Sequence, residues 1–356
     1  MMLKKSQVYS CLLLAILCLC AGCGQPQPVQ KSAIVMDTAV TLTASGDEAK
    51  AAIDESLVRL QNLDNMVNPQ TPDSDVNKLA RLAGTGKWVS LQPEVYKMLA
   101  TAQDYARKTN GAFDVTAKPL VDLWGIGTDH AKVPSPVELA KAQKLVGWQK
   151  LELDADTHSA RLLQEGMGVD LGGIAKGLAV DEVRRIYAKY GIQDGLINLG
   201  GSSLYALGHN KEGQVWRIGL RHPRKEDAQE KMALMPLENA ALSTSGDYER
   251  FFEANGLRYH HIIDPRTGRP AQSGAVSVTI VAADTVPDGG LMTDLLTTAV
   301  FVMGPEQGAR FIRSQQGIEG AIIDGRYHLW TTGDMAKHLE DVSQDFQFWQ
   351  ESGENS

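Results

Sequence analysis

All four cysteines of this 356-residue chain, Cys11, Cys18, Cys20 and Cys23, fall within its first 23 residues. Whatever folds after them carries no thiol, so disulfides, thiolate nucleophiles and cysteine-ligated metals are excluded there, even though export would permit disulfides. Core packing must do the work, and with 43% hydrophobic residues the chain has ample material for it. The net charge is −8, with acidic and basic residues intermixed rather than gathered into a block. Such a chain has no basic footprint for nucleic acid. A phosphate-bearing ligand would have to be met locally, by a metal ion, a helix N-terminus or a few placed cations.

The leader also sets the compartment. Lys4 and Lys5 precede an apolar run from Val8 to Leu19, followed by small residues, which is the layout of a signal peptide. The run is about 12 residues, whereas a hydrocarbon core needs roughly 20. Cys20-Ala21-Gly22-Cys23 resembles the bacterial lipobox, which implies that Cys23 is acylated and becomes the mature N-terminus. The expected division is a signal peptide over 1–22, a lipidated tether over 23–31, one enzyme domain over 32–350 and a loose tail over 351–356. The protein is then expected to be anchored to a bacterial membrane, facing the periplasm.

Periodicity predicts helices from Asp47 to about Met66, Glu94–Thr109, Pro136–Val146, Ala175–Tyr190 and Pro305–Ser314, with an apolar helix over Met292–Gly304. Short β-rich runs lie at Val40–Thr43, Leu196–Asn198, Trp216–Gly219, His260–Ile263, Ser277–Val281 and Ala321–Ile323. Strands and helices alternate irregularly, so the predicted class is α+β in a single domain.

Four blocks could carry chemistry. Val169-Asp170-Leu171-Gly172-Gly173-Ile174-Ala175-Lys176-Gly177 puts a carboxylate, close-approach glycines and a cation at a helix start, suited to a phosphorylated ligand. Singly, Asp170 reads as a cap and Lys176 as a solvated cation. Gly111-Ala112-Phe113-Asp114 places Asp114 in apolar surroundings, where a carboxylate needs a ribose hydroxyl or a backbone amide as partner. In the β-rich run Tyr259-His260-His261-Ile262-Ile263-Asp264-Pro265, alternation sends the two histidines to opposite faces. Asp264 could either orient a histidine or close the strand as an Asx turn. Finally, Asp294 and Thr298 share a helix face, with Thr297 alongside, so a carboxylate and a hydroxyl can meet one hard cation. In isolation they read as a cap and a threonine bonded back to its own helix. With oxygen ligands only, magnesium suits the site better than zinc.

Taken in order, together with Asn198-Leu199-Gly200-Gly201-Ser202 and Leu242-Ser243-Thr244-Ser245-Gly246-Asp247-Tyr248, these blocks resemble the ApbE family of FAD:protein FMN transferases over nearly the whole mature chain. The resemblance implies an α+β domain related to the tunnelling fold. It implies Mg2+ held by Asp294, Thr298 and the Gly173 carbonyl, with Thr297 possible, and flavin-nucleotide contacts at Met36, Ala112, Phe113, Asp114, Asp170, Lys176 and Ile263. His261 becomes the general base, with Asp264 beside it. The implied reaction carries FMN from FAD onto a threonine or serine of a membrane flavoprotein subunit of the sodium-pumping NADH:quinone oxidoreductase or Rnf type, releasing AMP. Two departures stand out. Met36-Asp37-Thr38 replaces the usual Met-Gly-Thr, and Met66–Gln70 lacks an aromatic residue for the flavin ring, leaving Asn68 as the substitute.

Two other readings use the same residues: an FAD pyrophosphatase with water as nucleophile, and a lipoprotein that binds FAD without turnover. The leader gives a direct test. Mass spectrometry of the membrane fraction should find an acylated N-terminal Cys23, absent in Cys23→Ser; an unmodified N-terminus in the parent would refute the lipobox reading.

Overall fold

The computed structural model describes residues 27–227 and 229–349. The signal peptide, Cys23 and the tail 351–356 therefore lie outside the described residues. Nine strands form the main sheet: β1 (Val29–Val35), β2 (Thr38–Ala44), β3 (Gly195–Leu199), β4 (Ser203–Leu207), β5 (Ala240–Gly246), β6 (Ala275–Ala283), β7 (Ile318–Asp324), β8 (His328–Thr331) and β9 (Gln347–Trp349). Their order across the sheet follows the chain, and every pair is antiparallel except β8 with β9. β1 takes in Val29–Lys31, which the sequence reading assigns to the tether; pairing of Val29 with Ala44 through Val35 with Thr38 draws them into the sheet. Met36 and Asp37 close that hairpin with φ of 55° and 54°. Two left-handed residues make the turn whose twist matches the strands. Asp is among the non-glycine residues that tolerate this region, so the missing glycine is accommodated.

The central strands of the sheet are buried on both faces. Tyr205, Ala241, Val278, Ile280 and Ile322 join the larger core, while Leu204, Ala206, Leu242, Val281 and Ile323 join a second one. Alternation along each strand sends neighbours to opposite faces. β6, with eight of its nine residues buried, accordingly reads as a continuous apolar run. The larger core is covered by α1 (Ala49–Val67), α2 (Ala175–Lys189), α3 (Gly289–Met303) and α4 (Pro305–Arg313). On the other face lies the hairpin Trp216–Arg221 with Lys231–Leu237.

A long excursion between β2 and β3 holds α1, four further helices, a three-stranded sheet and α2, and it returns so that β3 pairs directly with β2. α2 ends where expected, because Gly191 at φ 68° lets Gly191 N–H reach Ala188 and Ile192 N–H reach Tyr187. The run from Tyr259 to Asp264 is not one strand. Leu257–His260 ends at His260, and Ile263–Asp264 pairs separately with Arg269–Pro270.

α2 and α3 are the closest neighbours in the helical layer. A Cβ on Gly177 would stand 2.2 Å from the Gly290 carbonyl oxygen, and one on Gly290 would stand 2.5 Å from that of Gly177. Gly177→Ala should therefore destabilise the fold by about 1–3 kcal/mol, seen as a lower urea midpoint. Gly325, with nothing within 4 Å, is the control and should shift by less than about 0.5 kcal/mol as alanine. Equal midpoints for the two variants would show that the helices do not need this approach.

Candidate active site

α3 carries two stripes at helical spacing. Residues 289, 293 and 297 face β5: Thr293 Oγ1 lies 2.8 Å from Ser243 Oγ, and Ser245 donates to Thr297 Oγ1 at 2.9 Å. Residues 290, 294 and 298 face α2 and the glycine loop that precedes it. Asp294 is 6% exposed, accepting from the Gly177 N–H at 2.9 Å and from the Ser203 hydroxyl at 3.3 Å. One turn on, Thr298 Oγ1 stands 3.2 Å from the place a Cβ on Gly173 would occupy, with the Phe113 ring edge at 3.3 Å. A side chain at Gly173 would crowd both groups. Among the described residues the Thr298 hydroxyl has no hydrogen-bond partner, whereas Thr297 donates to the Asp294 carbonyl at 2.8 Å and is fully buried. Thr297 therefore follows the plain back-bonded pattern and faces β5 rather than the glycine loop.

Burial pushes the Asp294 carboxyl above its usual range, and the Lys176 charge and Gly177 N–H oppose this. Lys176 itself donates to the Ser202 hydroxyl, and the Ser202 carbonyl accepts from Thr244 N–H at 2.8 Å. The loop Gly200–Ser202 lies against β2, since Gly200 N–H donates to the Ala39 carbonyl at 2.8 Å. Met36, partly buried against the larger core, sits at the turn leading into this strand.

His261 is partly buried at the bend between the two short strands. The Arg250 carbonyl accepts from its backbone N–H at 3.0 Å and lies 3.3 Å from its Nδ1. A carbonyl can only accept, so the proton is assigned to Nδ1 and the lone pair to Nε2, as a base requires. Burial first, then the Arg250 and Lys176 charges, hold the imidazole well below its ordinary pKa, so it is neutral near pH 7. The Lys176 charge thus acts on both Asp294 and His261. His260 points elsewhere: it is buried, donating from Nε2 to the Ala271 carbonyl at 2.8 Å, with its ring 5.2 Å from Phe301 of α3.

The other residues singled out in the sequence take the following places. Asp264 does not orient His261; its carboxylate accepts from Arg266 Nε at 2.9 Å and Nη2 at 3.0 Å, and from the Arg266 N–H at 3.0 Å. It is the Asx turn with an arginine clamp. Asp114 meets backbone amides rather than a free surface, with Oδ1 accepting from Thr116 N–H and hydroxyl at 2.8 and 2.7 Å and Oδ2 from Trp148 N–H at 2.8 Å. Asp170 Oδ1 accepts from Gly172 N–H at 2.7 Å, and its own N–H donates to the Val115 carbonyl, which stitches the glycine loop to the Ala112–Asp114 segment. Ala112 and Phe113 lie in the larger core, and Ile263 in a small cluster with Leu120 and Trp124. Asn68 is the C-cap of α1 and accepts from Gln70 N–H at 2.8 Å. Sequence reasoning assigned no role to Ser203 or to the Arg250 carbonyl. Ser203 stands one place past a quoted glycine run, and a backbone carbonyl leaves no trace in residue type.

The side chains of Asp294 and Thr298 offer oxygen donors only, and among the described residues no group of three or more His, Cys, Asp or Glu is placed to hold a metal ion. One buried carboxylate and a nearby hydroxyl suit a hard cation that would keep waters and substrate phosphates as its other ligands.

Comparison with known proteins places the chain in a family. The profile of the ApbE family matches residues 36–322. The FAD:protein FMN transferase of Treponema pallidum is 33% identical over 344 residues, covering 90% of this chain and 92% of its own length. That of Escherichia coli K12 is 30% identical, covering 85% and 89%. Among solved structures, the ApbE protein of Thermotoga maritima matches with a TM-score of 0.79 at 28% identity, over 88% of this chain and all of its own. The flavin transferase ApbE of Vibrio cholerae gives 0.78 at 26%, over 88% and 99%. With the family profile spanning most of its length and its fold shared with solved flavin transferases, the chain belongs to the ApbE family.

Proposed function

We propose that this protein transfers FMN from FAD to a threonine or serine hydroxyl of an acceptor protein, releasing AMP, with Mg2+ held by Asp294, Thr298 and the Gly173 carbonyl. The observation that carries the reading is a buried carboxylate bonded to a glycine-lined helix start that bears Lys176, with His261 near enough to feel that charge. When bound, Mg2+ would supply charge neutralisation at the pyrophosphate. The dipole of α2 favours the same anion at its start, where Asp294 takes the Gly177 N–H, and Lys176 adds a positive charge. His261 Nε2 accepts the proton of the acceptor hydroxyl as its oxygen bonds to the FMN-side phosphorus. The phosphoanhydride bond breaks, and AMP leaves with the bonding pair. Positioning and electrostatics carry such a transfer.

The leader supports an exported, lipid-anchored enzyme acting on membrane flavoprotein subunits of the sodium-pumping NADH:quinone oxidoreductase or Rnf type. The six peptide units from Cys23 to Val29 span at most about 22 Å, so an acyl chain at Cys23 would keep β1 close to the bilayer. Anchoring raises the effective concentration of membrane-bound acceptors.

Incubating the full chain with FAD, Mg2+ and an acceptor domain should add the mass of FMN to the acceptor and release AMP, and EDTA should block both. AMP and free FMN in equal amounts regardless of acceptor would instead identify a pyrophosphatase, and persistent bound FAD without product a binding protein. His261→Ala should keep FAD binding and lose transfer by about 10²-fold or more; unchanged turnover would remove it from the mechanism. Because the folded His261 pKa is lowered, its base form persists as pH falls, and the acid limb of kcat/KM for FAD should lie below the ordinary histidine value of about 6.5. A limb at or above that value would contradict the assigned environment.

A further inference from the structure

α3 lacks a cap of its own. Its first flanking residue, Asp288, sits at φ 51° and makes no side-chain bond to the helix; it pairs with Arg185 and with Lys97. The N–H groups of Gly290 and Leu291 donate instead to Asp181 of α2, at 2.9 Å each, one to each carboxylate oxygen. Asp181 is 2% exposed, and burial pushes its carboxyl up to about 6 despite those two bonds. A carboxylate kept in such surroundings is costly as a mere stabiliser.

Its placement gives it a geometrical role. Gly177 and Asp181 are one turn apart on α2. Gly177 donates to Asp294 and abuts Gly290, while Asp181 holds the N–H groups of Gly290 and Leu291. Two points four residues apart on one helix are thus pinned to two points four residues apart on the other. This fixes rotation and slip of α3 against α2 together, while the hydroxyl pairs with Ser243 and Ser245 hold α3 to β5. α3 is rigid over the short distance involved, about 6 Å from Gly290 to Asp294 at 1.5 Å per residue. Movement at its start is therefore passed to Asp294 and Thr298.

We infer that Asp181 is a positioning residue that sets the register of α3 against α2, and thereby the spacing of Asp294 and Thr298 from the Gly173 loop. The inference rests on the proposed Mg2+ site. It is tested on the full chain by equilibrium dialysis of FAD across a Mg2+ titration, with thermal unfolding recorded separately without FAD. In Asp181→Asn one N–H meets an amide NH2, and the Mg2+ concentration for half-maximal FAD binding should rise about tenfold, a change of 1.4 kcal/mol. Asp181→Ala should shift it at least as far, and Asp181→Asn carries the test should the alanine variant not fold. Asp181→Glu, which restores the carboxylate, should recover part of the shift. A lowered unfolding temperature with an unchanged Mg2+ midpoint would overturn the inference alone, leaving Asp181 as a structural cap. FAD binding by the parent protein that ignores Mg2+ would overturn the metal reading and the inference with it.

Discussion

The contact on which the site depends is the approach of α2 to α3 at Gly177 and Gly290. Backbone meets backbone there because neither residue has a Cβ, and the gap is too small for one. That closeness allows Asp294 to reach the Gly177 N–H, 117 residues away in sequence, and sets Thr298 beside Gly173. A glycine loop and an apolar helix, each unremarkable alone, become one oxygen-lined corner at a helix start. The same α3 reaches β5 through paired hydroxyls and touches His260 through Phe301, so it links the Asp294 end of the site to the segment that bears His261.

The sheet makes this arrangement stiff. Its central strands, buried on both faces, cannot slip by one residue without exchanging the two cores. The loops at the ends of β3, β5 and the His261 bend are held from below by paired strands, and from the side by backbone bonds such as Thr244 N–H to the Ser202 carbonyl. The long excursion between β2 and β3 delivers the Ala112–Asp114 segment and the glycine loop to the same edge, and the Asp170–Val115 bond joins them. Function is thus spread over distant segments and concentrated by pairing.

Much of this was legible in residue order. The helical periods marked α1, α2, α3 and α4 within a few residues, and the four-residue spacing of Asp294 and Thr298 placed them on one face. Asp170, Asp114 and Asp264 were legible only as carboxylates in search of partners. Each has more than one local solution, and the structure chose a turn amide, a pair of loop amides and an arginine respectively. The run through His260 and His261 suggested one alternating strand. The backbone instead breaks there, because Arg250 and Ala271 accept bonds from a bend, and those acceptors come from outside the run.

The sequence by itself determined the absence of thiols after residue 23, the mixed α+β character, the helix faces and the residue types able to meet a phosphate, since these follow from composition, spacing and side-chain chemistry. Only the tertiary structure decided which carboxylates are committed to their own loops, which tautomer His261 holds, and that Asp181 caps a helix other than its own. Those outcomes depend on which backbone N–H and C=O groups arrive from other elements. Every non-proline residue offers such groups alike, so residue identity cannot announce them.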